Sequence, residues 1–204
     1  MKISISSNIA AVRKSLTDDF QRKQLPFATA AALNDVAFTA QRSIQSQMAT
    51  SIFDKKPTAF TTHSIAVDKA TKSDPTATVR VKDAQAEYLK FTEAPGTRTP
   101  LNGGSLPVPV GIPVNASGNI PRKRIAQLAA KPRYFIATVK GTKGLYQRPT
   151  DRKQPLKLMA TFVKAKHFDK PKLKFAERVD AVVKAEIEGA LQRAMAKALA
   201  SAKR

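Results

Sequence analysis

"VKGTKGLYQRP", residues 139–149, is the stretch on which the reading of this chain turns. Two glycines bracket a Thr-Lys pair, an aliphatic-aromatic pair follows, and an arginine precedes a proline. A phosphate-cradling loop would need GxxxxGK[ST] with a helix behind it. That motif is absent, and "LYQRP" has the texture of a strand. A hairpin remains: Gly141 and Gly144 are able to take the positive φ of a tight turn, and strand-like sequence flanks both. On this reading the two glycines are the hinge, Lys143 stands at the tip, and Lys140 and Arg148 flank it.

The neighbouring segments extend the pattern. "PRYFIATV" leads into the hairpin as a strand, and "QPLKLMATFVKAK" leaves it as another, with Leu156, Leu158, Ala160 and Phe162 on one face. Together they make a hairpin and basic strands over 133–165. A second hairpin is expected over 62–83. His63, Ile65 and Val67 alternate with polar residues, Ala77, Val79 and Val81 repeat the pattern, and the turn formers "TKSDPT" lie between. After it, "AQAEYLKFTEAPGTRTPLNGG" reads as a short apolar patch running into a loop.

Residues 95–121 hold six prolines and five glycines in 27 residues, which excludes a regular helix or a central strand. The stretch is either an ordered excursion held by its apolar "LPVPVGIPV" core or a mobile loop, and an extended loop of this length has a reason to exist if it reaches a neighbouring subunit. Leu106, Val108, Val110, Ile112 and Val114 within it, and Tyr146 in the hairpin, are therefore candidates for a subunit interface.

Helical periodicity marks both ends of the chain. A short helix is expected over 8–22, with Ile9, Val12, Leu16 and Phe20 at helical spacing. A stronger one spans 26–50, with Pro26 in its first turn and Leu33, Val36, Ala37, Ala40, Ile44 and Met48 as its stripe. The last runs over 173–202, with Val179, Val183, Ile187, Ala190 and Ala194 in line. The sum is an α+β fold in a single domain, 1–204. An antiparallel β-sheet packs with long N-terminal and C-terminal helices, and a long Pro/Gly-rich extended loop leaves it.

Composition narrows the chemistry. The 204 residues carry 36 Lys and Arg against 15 Asp and Glu, a net charge of +21, and no cysteine. Disulfides and thiolate metal sites are thereby excluded. His63 and His167 have no companion pattern, and the acids are scattered without the spacing of a two-carboxylate or two-metal site. The sequence points away from an enzyme and calls for no metal or cofactor. It shows no signal-peptide core and no apolar run long enough for a membrane anchor, so a soluble protein made in the cytoplasm is expected.

The charge is concentrated. From Arg122 to Lys174 there are 16 Lys and Arg against Asp151 and Asp169 alone. Arg122, Lys123, Arg124, Lys140, Lys143, Arg148, Arg152 and Lys153 are the candidate residues of a surface facing DNA or an acidic partner; the plain alternative is a solvated face. No base-reading motif is present, so contact with nucleic acid would be to phosphates and independent of sequence.

Three pieces in order, the helix "AALNDVA", the hairpin "VKGTKGLYQRP" and the strand after it, resemble the minor tail protein Z family of tailed phages and prophages, relatives of the tail-completion proteins. The resemblance covers most of residues 25–200. It implies a non-enzymatic virion protein at the head-proximal end of the tail, or neck. Such a subunit would form a homo-oligomeric ring beside terminator, tail-tube, stopper or adaptor proteins, with non-specific contact to packaged double-stranded DNA. The family supplies no ligand residues to transfer, so the site residues above rest on the sequence pattern.

Overall fold

A computed structural model describes residues 1–5, 24–100, 103–151 and 153–202. The helix expected over 8–22 and Arg152 lie outside the described residues. The fold is α+β with antiparallel sheets and long helices toward both ends. Where the sequence reading takes 1–204 as one domain, the contacts group into two compact units. One comprises 1–53, 57–93 and 172–204; the other comprises 54–56 and 94–171.

Unit 1 is built on α1 (Leu25–Thr50) and α5 (Phe175–Ala202), laid against a three-stranded sheet. Every residue of the expected α1 stripe, from Leu33 to Met48, is buried. The helices run antiparallel. Leu25 and Ala28 at the start of α1 meet Ala198 near the end of α5, while Gln47 near the end of α1 bonds Arg178 near the start of α5. The alanines on these faces allow the two backbones to approach closely. An exposed ion pair, Arg193 Nη2 to Asp35 Oδ2 at 3.0 Å, spans them midway, where solvent leaves such a pair little net weight.

The sheet order is β1-β3-β2, from β1 (Lys2–Ile5), β2 (Ile65–Asp68) and β3 (Ala77–Val81). Ile3, Val79 and Val67 stand in cross-strand register, as do Val81 and Ile65, and this face completes the core. The hairpin over 62–83 is thus present, with its alternation beginning at Ile65. His63 is exposed and caps the short helix α2 (Ala59–Thr62) instead of opening the strand. The apolar patch expected after the hairpin is a helix, α3 (Asp83–Glu93), which buries only Gln85 and Leu89. Its end clamps the start of α5: Thr92 O accepts the N–H groups of Lys172 and Leu173, and the Glu93 carboxylate accepts the Phe175 N–H at 2.8 Å. A carboxylate there satisfies one of the helix's free N–H groups and complements its dipole.

Polar side chains also tie α1 to the chain beside the sheet. Asn34 donates to Ala70 O at 3.0 Å and accepts from Ala70 N–H at 2.8 Å, behaving as a strand neighbour would. Ser64 Oγ, by contrast, is buried without a partner among the described residues. Asn34→Ala is expected to cost about 1–3 kcal/mol, because it strands both backbone groups of Ala70, whereas Ser64→Ala is expected to be near neutral or stabilising. Urea unfolding of the two variants measures the contrast.

Unit 2 holds a four-stranded antiparallel sheet, order β5-β8-β7-β6, formed by β5 (Leu106–Pro109), β6 (Tyr134–Val139), β7 (Thr142–Gln147) and β8 (Lys157–Val163). A separate pair joins β4 (Gly96–Arg98) to β9 (Lys166–Phe168). Helix α4 (Arg124–Ala129) and the segment around Ile112–Ile120 cover one face and close a small core on Leu145, Met159 and Ala160. The register of β7 against β8 shifts between Leu145 and Tyr146. Met159 falls at this bulge, and its carbonyl accepts the N–H groups of Val110, Gly111 and Ile112 within 2.9–3.0 Å. That irregularity brings Met159 into the core, while Leu156, expected on one face with Leu158, Ala160 and Phe162, precedes β8 and is 41% exposed. The stretch 95–121 holds two strands, β4 near its start and β5 near its middle, and β5 is an edge strand, the position that tolerates its prolines. Among the described residues no helix is long and apolar enough to cross a membrane.

Candidate functional site: the basic hairpin unit

Unit 2 carries 17 Lys and Arg against Asp54, Asp151 and Asp169 alone. At one edge of its four-stranded sheet stands the β6–β7 hairpin. The register pairs Val139 with Thr142, so the loop is two residues long, Lys140 and Gly141. Their φ values are 47° and 79°; positive φ at both central positions is what a type I′ turn requires. Gly141 is the hinge, as expected. Gly144 is not: it lies in β7, away from positive φ and buried, and it faces Ala160 of β8.

The base of the hairpin is locked by its arginines. The Arg148 guanidinium sits 5.0 Å from the centre of the Phe135 ring and donates to Pro132 O at 3.0 Å. Arg133 Nε donates to Arg148 O at 3.2 Å, and its Nη2 donates to the Thr150 hydroxyl. Tyr146 stacks on Phe135 with ring centres 6.0 Å apart, and its hydroxyl donates to Thr142 O at 2.8 Å. Arg133 and Arg148 therefore fasten strand ends as well as carrying charge. Lys140, in the turn, and Lys143 are exposed with no such duty; Lys143, expected at the tip, instead lies in β7 opposite Thr138, and Lys140 takes the tip.

Arg122 and Lys123 are exposed, and Arg124 is half-buried where α4 begins. Cations at that end of a helix oppose its dipole. Lys153 is exposed, its backbone N–H donating to Asp151 Oδ1 at 3.0 Å. Among the described residues none of Arg122, Lys123, Arg124, Lys140, Lys143, Arg148 and Lys153 forms an ion pair. Lys123 and Lys140 both hold positive φ, and with Lys174 they are the described non-glycine residues that do so. The basic run as drawn along the sequence spans both units, however. Lys172 and Lys174 belong to unit 1, where Lys174 pairs with Glu177 at 3.2 Å.

The expected interface residues divide. Ile112 and Tyr146 are each 5% exposed and belong to the interior of unit 2, so they present nothing to a neighbouring subunit. Val110 (59%) and Val114 (36%) are exposed. Leu106 and Val108 are half-buried and line a cleft of about 480 Å³ with Ile120, Phe168, Arg98 and Lys166. Arg98 and Lys166 are direct cross-strand partners, an arrangement of like charges that an anion would relieve. Lys166 also lies over the Phe168 ring at 5.5 Å. The sequence offers no signal for this pair, because the β4–β9 ladder that unites them joins residues about 70 positions apart. Among the described residues no cluster of three or more metal-binding side chains exists. No family model, curated protein or solved structure matches the chain.

Proposed function

We propose that the chain is a structural virion protein of the head-proximal end of a phage tail, a subunit of a ring that joins tail to head or lines the DNA path. The observation that carries this reading is the density of unneutralised cations on unit 2, a net +14 with Lys140 and Lys143 exposed on its hairpin. Like charges held this closely repel unless an anionic surface faces them. The exposed Val110 and Val114 add apolar surface of the kind a subunit contact covers. The likeness to the tail-completion proteins supplies the setting, and Lys140, Lys143 and Lys153 are the residues that meet the polyanion.

The test is assembly. Purified protein added to tails and heads lacking it should form closed rings visible by electron microscopy and restore joined particles. Arg148 is left in place because it fastens the hairpin base; the informative variant is Lys140→Ala, Lys143→Ala, Lys153→Ala. It should keep its circular dichroism and lose joining. Unchanged joining removes the role given to these lysines, and a monomer that enters no particle overturns the virion reading.

The same unpaired cations support a second reading, a sequence-independent nucleic-acid-binding protein. Under it, the isolated chain binds duplex DNA with a steep salt dependence, and the triple variant reduces the slope of log K against log salt by about 2.7, at 0.9 per lost phosphate contact. Tight binding of this kind without entry into particles would favour the second reading over the first.

A further inference from the structure

The four-stranded sheet of unit 2 has two edges, and the sequence treats them in opposite ways. At β5, Pro107 and Pro109 alternate with Leu106 and Val108. Proline has no N–H to give the ladder, so the residues bonding β8 are Leu106 and Val108, and the outward positions carry no donor. A strand arriving at that edge finds carbonyls only. The edge is closed by composition.

At β6 nothing of the kind is present. The turn makes Val139 and Thr142 a hydrogen-bonded pair, and the Arg148 N–H to Arg133 O bond at 2.8 Å confirms the same phase at the far end. Phe135, Ala137 and Val139 therefore turn their backbone groups toward β7. Those of Ile136 and Thr138 face outward, together with the Tyr134 carbonyl. The Tyr134 N–H is already taken by Lys131 O at 2.9 Å. β6 ends the sheet, and Ile136 is 50% exposed. The strand "YFIATV" has no proline and no charge, the composition that pairs most readily with another chain.

Cations bracket this edge, Lys131 and Arg133 before it and Lys140 and Lys143 after it. A second β6 is a poor occupant. Antiparallel pairing would set Lys140 of one copy near Arg133 of the other, and parallel pairing would set each cation beside its twin. We propose that β6 is an open docking edge that adds one strand from another protein, an extended β-prone segment with carboxylates at its ends. The backbone groups of Ile136, Thr138 and Tyr134 supply the ladder, and the bracketing cations select the partner. The inference stands independently of the virion reading.

The probe is a fluorescent decapeptide with a Thr-Val core and paired aspartates at both ends, compared by anisotropy with the same core flanked by lysines and with an aspartate peptide lacking the core. The first should bind, and the other two should bind at least tenfold more weakly. Thr138→Pro removes an outward N–H and leaves the bonds to β7, as the prolines of β5 do; it should weaken binding at least tenfold. Lys131→Glu with Lys140→Asp should cut the preference for the acidic over the basic peptide at least tenfold, and it decides the matter where Thr138→Pro fails to fold. Binding untouched by Thr138→Pro in a folded variant, or equal binding of the coreless aspartate peptide, would show a charge effect alone and overturn the proposal. Self-association abolished by Thr138→Pro would name a second copy as occupant and overturn it as well.

Discussion

Phe175→Ala is expected to lower the stability of unit 1 by about 3–5 kcal/mol, the range for removing a fully buried aromatic side chain. Phe175 is 0% exposed, in the same buried cluster as Leu89, Leu173 and Val179. It also opens α5, and its N–H is held by Glu93 at the end of α3. Truncation leaves a cavity where three segments are fastened, α3, the chain entering α5, and α5 itself. A loss of this size is a large share of the 5–15 kcal/mol typical of a folded domain. Ellipticity at 222 nm during urea unfolding reports unit 1, because among the described residues α1 and α5 supply most of the helix and unit 2 contributes only α4. A midpoint unchanged within error would mean that the start of α5 is not anchored as described.

Gly144→Ala is expected to destabilise unit 2 by about 1–3 kcal/mol, and to do so more than Gly141→Ala. A Cβ at Gly144 would lie 2.5 Å from Ala160 O and 2.8 Å from a Leu158 methyl. The carbonyl belongs to the paired strand β8, so relieving the clash means spreading the ladder. Gly141 has open space around it, and alanine there meets only the penalty of a positive φ, about 1 kcal/mol. Tyr134 and Tyr146 lie in unit 2 and Tyr88 in unit 1, so near-ultraviolet tyrosine signals in a Tyr88→Phe background follow the unfolding of unit 2. If Gly141→Ala proved the more damaging change, Gly144 would not be the close-packing position described.

Local pattern carried much of the fold. The stripes of α1 and α5 were readable because helical spacing repeats within a few residues, and both helices bury long faces. The 62–83 hairpin and the β6–β7 hairpin were readable for a similar reason, since short loops pair neighbours in sequence. What escaped was short or depended on distant partners. β1 is four residues whose partner strand, β3, lies more than 70 residues on. α3 buries only two side chains and so leaves little stripe to detect. β4 and β5 were concealed in a Pro/Gly-rich stretch that composition alone marked as irregular.

At the candidate site the count of cations was legible and their duties were not. Lys140, Lys143, Arg148 and Arg133 look alike along the chain. Only the folded hairpin separates the two exposed lysines, Lys140 in the turn and Lys143 in β7, from the two arginines bound to backbone carbonyls at its base. Gly141 and Gly144 were likewise equivalent as turn formers. The register then gave one a positive φ and the other a place against a neighbouring strand.

The sequence by itself determined the α+β class, the long helices, the hairpins and the concentration of positive charge, since these follow from spacing and count. The tertiary structure alone decided which apolar residues of unit 2 close its core and which stay outside. It buried Ile112 and Tyr146, left Val110 and Val114 exposed, paired Arg98 with Lys166, and left β6 as the edge with outward donors. Those outcomes depend on which strand lies beside which, and pairing between distant segments is set by the packing of the whole unit.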